Sequence, residues 1–241
     1  NEINFEYVNY YISQSKLPNW KNFINNHGLY KTIADEQKYN QLEPWIQWPT
    51  IRTGLTFDEH KIFRLGDIVQ SNIKQHWEIL ESNGYSVAAI SPINAANNTE
   101  NSPFWLPDPW VDTKISGNRF INRFSKAFKQ SVNDNSHEKI TFSSIFIIIE
   151  SLFTKSKFSS WPIYFSLLVG ALKRQHWSKA IFLDRMIADI FLKLWKKNQP
   201  DFSVIFMNSG AHLQHHYMCN SSFYDGNISN PDWYIPKNKD P

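Results

Sequence analysis

One junction constrains this chain more than any other. The apolar run Phe202-Ser203-Val204-Ile205-Phe206 reads as a buried strand. The pattern breaks at Ser209-Gly210 and turns at once to histidine, with His212, His215 and His216 close together. A strand that ends in a small-residue turn and then presents polar, metal-competent side chains fits an α/β fold, where ligands bind at the carboxyl ends of strands. Asn208, His212 and His216 recur at helical spacing. If the segment after Gly210 is helical, His212 and His216 share a face and can reach one transition metal. The alternative is a set of polar residues at a strand–helix junction, bonded to backbone and water. No second cluster of Cys or acidic ligands stands at metal spacing.

The length of 241 residues suits one large α/β domain with a core of its own. Its 25 basic residues are scattered and the net charge is only +3, so no nucleic-acid partner is expected. A single cysteine, Cys219, excludes an internal disulfide framework. No run reaches the roughly 18 apolar residues that a membrane span needs. The apolar patches at Ile145–Ile149 and Tyr164–Val169 fit buried helices. No signal peptide opens the chain, which favours a cytoplasmic location. The chain starts without Met in the lead-in to a helix and ends on Lys237-Asn238-Lys239-Asp240-Pro241. Both ends read as cut, so the domain is expected to be incomplete at both.

Taken in order, residues 4–14 suit a helix, and Leu17-Pro18 starts a second that Gly28 stops. Residues 29–42 read as loop. Glu43-Pro44-Trp45-Ile46-Gln47-Trp48-Pro49 reads as a constrained loop feeding a short helix that ends at Gly54. Residues 68–82 have helical spacing, and Tyr85–Ile90 reads as a strand, giving an α–turn–β unit. Residues 91–118 form a long loop around Phe104-Trp105-Leu106-Pro107-Asp108-Pro109-Trp110. Its aromatics suit either a stacking platform or a plug over the sheet edge. Residues 119–178 read as a helical insertion or cap. Residues 178–197 form the clearest amphipathic helix, with Asp184, Arg185 and Asp189 opposite its apolar side, where a solvated face is expected over a substrate-facing set.

The segment Thr53-Gly54-Leu55 through His60, paired with the later strand ending in Asn208 and His212, resembles the alkaline-phosphatase-like superfamily. More narrowly, it is similar to the type I phosphodiesterase/nucleotide pyrophosphatase and sulfatase branch, and within it to uncharacterised bacterial members with a Glu-Pro-Trp-x-Gln-Trp segment. The resemblance implies an α/β fold: a mainly parallel sheet flanked by helices. It also implies divalent metals, commonly zinc, beside a nucleophile. Such metals stabilise the entering and leaving oxygens of an in-line displacement. Asn208 falls where the family has a metal-binding Asp, and His212 on its metal-binding His; His216 joins them as a candidate ligand. The nucleophile position falls on Pro44, which cannot act, leaving Glu43 and Thr50 as nearby polar candidates.

The expected function is therefore a metal-dependent hydrolase or transferase for a small-molecule or glycan phosphate or sulfate ester, with part of its site in this chain. The alternative is an inactive relative that binds a glycan or nucleotide-like ligand. Trp45, Trp48 and Trp105 would supply stacking surfaces for either. A blander reading is an α/β domain with structural histidines.

Overall fold

Helical periodicity outweighs strand alternation along most of this sequence, and the fold follows it. The computed structural model describes residues 3–34, 44–132, 140–173, 175–221 and 224. Its elements are α1 (Phe5–Ser13), α2 (Pro18–His27), α3 (Pro44–Thr53), α4 (Phe57–His60), α5 (Asp67–Gln70), α6 (His76–Ser82), β1 (Val87–Ile90), β2 (Trp105–Leu106), α7 (Arg119–Ser131), α8 (Phe142–Thr154), α9 (Trp161–Leu172), α10 (His176–Asn198), β3 (Phe202–Ile205) and α11 (Ser209–Tyr217). The chain divides into two compact units, residues 1–35 with 210–240 and residues 36–209.

In the smaller unit, the Asn4 side chain caps α1 by accepting the N–H groups of Glu6 and Tyr7 at 2.8 and 3.2 Å. Pro18 opens α2, and Gly28, at φ 76°, ends it as expected. Phe5 and Trp20 meet edge to face, with centroids 6.2 Å apart.

The larger unit holds the sheet. Its order is β2-β1-β3 and every pairing is parallel. Val87 to Ile90 pair with Phe202 to Ile205, while Ala89 and Ile90 pair with Trp105 and Leu106. Strand alternation splits β1 between two cores. Ala88 and Ile90 pack with Phe104, Leu106, Ile121, Phe124, Met186, Ile187 and Ile190, from α7, α10 and the β2 region. Val87 and Ala89 pack against Trp77 of α6 and Trp105. β1 is thus buried on both faces, the usual condition of parallel strands.

The expectation of a mainly parallel sheet flanked by helices, an alkaline-phosphatase-like core, is overturned. Of the described residues, 59% are helical and 5% are in strands, with a three-stranded sheet. The physical reason lies in the segment expected to be an insertion. α7, α8 and α9 share their buried side chains with α10 and β1 in one cluster, so helix-on-helix burial supplies most of the apolar contact. The long loop also yields a strand. Trp105 and Leu106 add an edge to β1, and Trp105 exchanges backbone hydrogen bonds with Ser116 at 2.7 and 3.1 Å. The continuous helical spacing over 68–82 is broken, with α5 and α6 separated by Ser71–Gln75. No helix among the described residues is long and apolar enough to cross a membrane, in line with the sequence.

α9 and α10 approach closely at Gly170. A Cβ there would meet Ser178 Oγ and, at 2.7 Å, Gln175 Oε1. Gly170→Ala is expected to destabilise the fold by about 1–3 kcal/mol through overpacking. Adding Ser178→Ala should recover part of that loss, because the Ser178 hydroxyl has no hydrogen-bond partner among the described residues. Thermal unfolding of the single and double variants checks both outcomes.

Candidate functional site

The carboxyl end of the sheet is built around a proline inside a helix. Pro49 lies within α3 and has no N–H to give the carbonyl of Trp45, one turn back. Asn94, in the loop after β1, fills that place: its side-chain amide donates to Trp45 O at 2.6 Å. Its carbonyl oxygen accepts from Gly66 N–H at 2.9 Å, and its own N–H donates to Asp108 at 2.8 Å. Asn94 is fully buried and sits at φ 47°, a left-handed conformation that Asn tolerates better than most residues. Ser91, also buried, sits at φ 57° in the same loop. Sparsely populated backbone thus gathers where β1 ends.

Arg52, from the same face of α3, is buried. Its guanidinium donates to the carbonyls of Ile93 and Asn94. It also lies 5.2 Å from each of the Trp48 and Trp77 rings, a cation–π sandwich. Burial lowers its pKa to about 9, opposed by the charge of Asp108. Burial likewise raises the Asp108 pKa to about 6, although the N–H groups of Trp110, Asn94 and Val111 and the charge of Arg52 pull it back. Asp108 accepts from Trp110 and Val111 at 2.7 and 2.9 Å, which folds the Asp108-Pro109-Trp110 turn.

The expected site residues fall in several places. Glu43 lies outside the described residues. Thr50 is well inside α3, with its hydroxyl 2.9 Å from His60 Nε2. His60 Nδ1 accepts the Ile62 N–H at 2.9 Å, so the neutral ring carries its proton on Nε2 and donates it to Thr50. His60 therefore gives Thr50 a hydrogen bond and does not take its proton, the reverse of a nucleophile–base pair. Trp45 and Trp48 are half-buried, and Trp48 meets Phe206 edge to face at 5.8 Å. That contact brings α3 and the exit of β3 together at one end of the sheet. Trp105 is fully buried, and Trp77 packs edge-on to it at 5.0 Å, so its ring is engaged by protein.

Asn208 belongs to the larger unit, where its N–H donates to Asp184 at 3.2 Å; Ser209 N–H donates to the same carboxylate at 2.7 Å. An acid thus stands at the start of α11, as helix ends favour. His212 and His216 belong to the smaller unit. They share one face of α11 as the spacing predicts, with ring centroids 4.4 Å apart. His215 is exposed. Among the described residues, no group of three His, Cys, Asp or Glu side chains is placed to hold a metal.

The solvated face expected for Asp184, Arg185 and Asp189 is not what forms. Asp184 and Asp189 are buried, and Asp189 accepts the Tyr164 hydroxyl at 3.0 Å. Burial, then the Asp189 charge, raises the Tyr164 pKa. Sequence reasoning also missed Arg52, Asn94 and Asp108. The available signals were Pro49 inside an apolar helix and an Asp-Pro turn next to β-forming aromatics. Comparison with protein-family models, with curated proteins and with solved structures finds no match.

Two outcomes follow from this geometry. The raised Asp108 pKa means that the folded chain holds this proton more tightly than the unfolded chain. Its contribution to stability is complete below the ordinary value of 3.8 and is lost as pH rises through about 6. Denaturant unfolding across that window should show stability falling by about 3 kcal/mol. Asp108→Asn should flatten the fall while lowering stability at every pH, since an amide N–H cannot accept from a backbone N–H. Thr50→Val should remove the acceptor of the His60 Nε2–H bond and cost about 1–3 kcal/mol in the same measurement.

Proposed function

We propose that the chain carries part of a metal-dependent hydrolase or transferase acting on a phosphate or sulfate ester. The observation that supports this most directly is the His212–His216 pair, two imidazoles on one helical face with centroids 4.4 Å apart. Nitrogen donors one turn apart fit a zinc-type ion. A divalent metal held there would supply a Lewis acid for the developing charge of an ester oxygen. The likeness of the Thr53–His60 and Asn208–His212 motifs to phosphodiesterases and sulfatases adds to the reading.

Within the larger unit, the chain's own contribution is a rigid frame at the carboxyl ends of parallel strands, where α/β ligands bind. Asn94 and Arg52 fix α3 there, and α3 carries Trp45 and Trp48. Both indoles are half-buried, with area left for an apolar or sugar face.

A second reading, binding of a glycan or nucleotide-like ligand without turnover, is favoured by the Thr50–His60 hydrogen bond. That bond commits the Thr50 hydroxyl as an acceptor.

Zinc titration of the full chain separates the readings. His212→Ala and His216→Ala should each weaken zinc binding by about tenfold or more. Hydrolysis of bis(p-nitrophenyl) phosphate should require zinc and should fall with His212→Ala. Zinc affinity that both substitutions leave unchanged would overturn the metal reading. An ester-induced change in tryptophan fluorescence, with no turnover and no metal requirement, would establish the second.

A further inference from the structure

The helices α8 and α9 are apolar nearly all round, yet each buries only a thin stripe. α8 buries Ser144, Ile147 and Ser151; α9 buries Tyr164, Leu167 and Gly170. Small residues therefore turn inward, with their hydroxyls satisfied: Ser144 donates to Gln130 and Ser151 to Ile147 O, each at 2.7 Å. Most of the large side chains turn outward, with Ile147, Tyr164 and Leu167 the ones that sit in the buried stripes. Phe142, Phe158 and Leu172 are 92, 86 and 85% exposed, and Phe146, Phe153 and Phe165 are exposed as well. A helix in water normally shows the opposite arrangement, whereas small residues inside and large apolar ones outside characterise helices packed in lipid.

Charge indicates what covers this belt. From Ile140 to Lys173 the sole acid is Glu150, and it pairs with Arg123 at 3.0 Å. The cations Lys155, Lys157 and Lys173 come from the same stretch. Lys193 of α10 reaches in to donate to Thr154 O at 2.6 Å. Burial, then the charge of Lys193, lowers the Lys155 pKa; Glu150 opposes the fall and Lys197 adds to it, so these ammonium groups stand close enough to repel one another. The acids of α10, Asp184 and Asp189, are buried and hydrogen-bonded within the fold. The belt is thus rimmed by positive charge, and Trp161 sits in it between Phe153 and Phe158, at 5.0 and 6.0 Å. Lysines with an interfacial tryptophan suit the headgroup region of an anionic bilayer.

Length excludes a crossing. With 13 and 12 residues, α8 and α9 are about 20 and 18 Å long at ~1.5 Å per residue, against a hydrocarbon core of ~30 Å.

We propose that the α8–α9 surface is a monotopic membrane-binding face, which lays Phe142, Phe146, Phe153, Phe158, Phe165 and Leu172 into one leaflet of an anionic bilayer.

The test is co-sedimentation of the full chain with vesicles of equal parts phosphatidylcholine and phosphatidylglycerol, and with vesicles of phosphatidylcholine alone. Binding should be at least about tenfold stronger to the anionic vesicles and should weaken as salt is raised. Phe153→Ser with Phe158→Ser should reduce it by about tenfold or more. The melting temperature should hold, because both side chains are already exposed. Brominated lipids should quench tryptophan fluorescence, and Trp161→Phe should remove most of that quenching. Failure to bind either vesicle would overturn the proposal. So would a concentration-dependent dimer that the same serine pair dissolves, since the belt would then be covered by a second copy of the chain.

Discussion

A missing N–H at Pro49 leaves the Trp45 carbonyl of α3 open, and the Asn94 side chain occupies it. Much of the sheet's carboxyl end depends on that bond. To reach it, Asn94 adopts a left-handed backbone, which turns its N–H toward Asp108 while Arg52 binds its carbonyl. Asn94, Arg52 and Asp108 are each buried, so a bond left unmade at any of them would cost about 1–3 kcal/mol. Satisfied together, they reinforce one another in a low-dielectric setting and select a single loop conformation. The same setting makes the charges expensive: the Arg52 guanidinium has indole faces and carbonyl oxygens for company, with Asp108 acting on it through space.

Local signals were legible wherever they did not depend on distant partners. Pro18 and Gly28 mark the ends of α2, Gly54 ends α3, and the runs at 87–90 and 202–205 become strands. The turn to helix after Ser209 is also plain in the residues. The size of the sheet was not legible, because a strand as short as Trp105–Leu106 has no periodicity. It exists through pairing with Ala89 and Ile90. The role of Asp184 and Asp189 was hidden for a related reason. α10 packs against α9 and delivers a carboxylate to the β3 exit, so its polar face is an interior one. Helical spacing reports a polar stripe but not whether protein or water lies across from it.

Among the candidate site residues, spacing alone placed His212 and His216 correctly on one face, since that relation is internal to a helix. It could not foresee the state of Thr50. The hydroxyl belongs to α3, but its partner ring belongs to α4, and the proton's position on that ring is set by the backbone of Ile62. Chemical role here depends on a tautomer, and the tautomer depends on a turn.

The hold of Asp184 on the backbone of Asn208 and Ser209 also has a mechanical side. Its two carboxylate oxygens clamp consecutive N–H groups, so the end of β3 is fastened to the middle of α10. α10 is 23 residues long and bears Lys193 and Lys197 toward its far end. A displacement of the middle of α10 and one of the strand exit are thus coupled through these two bonds.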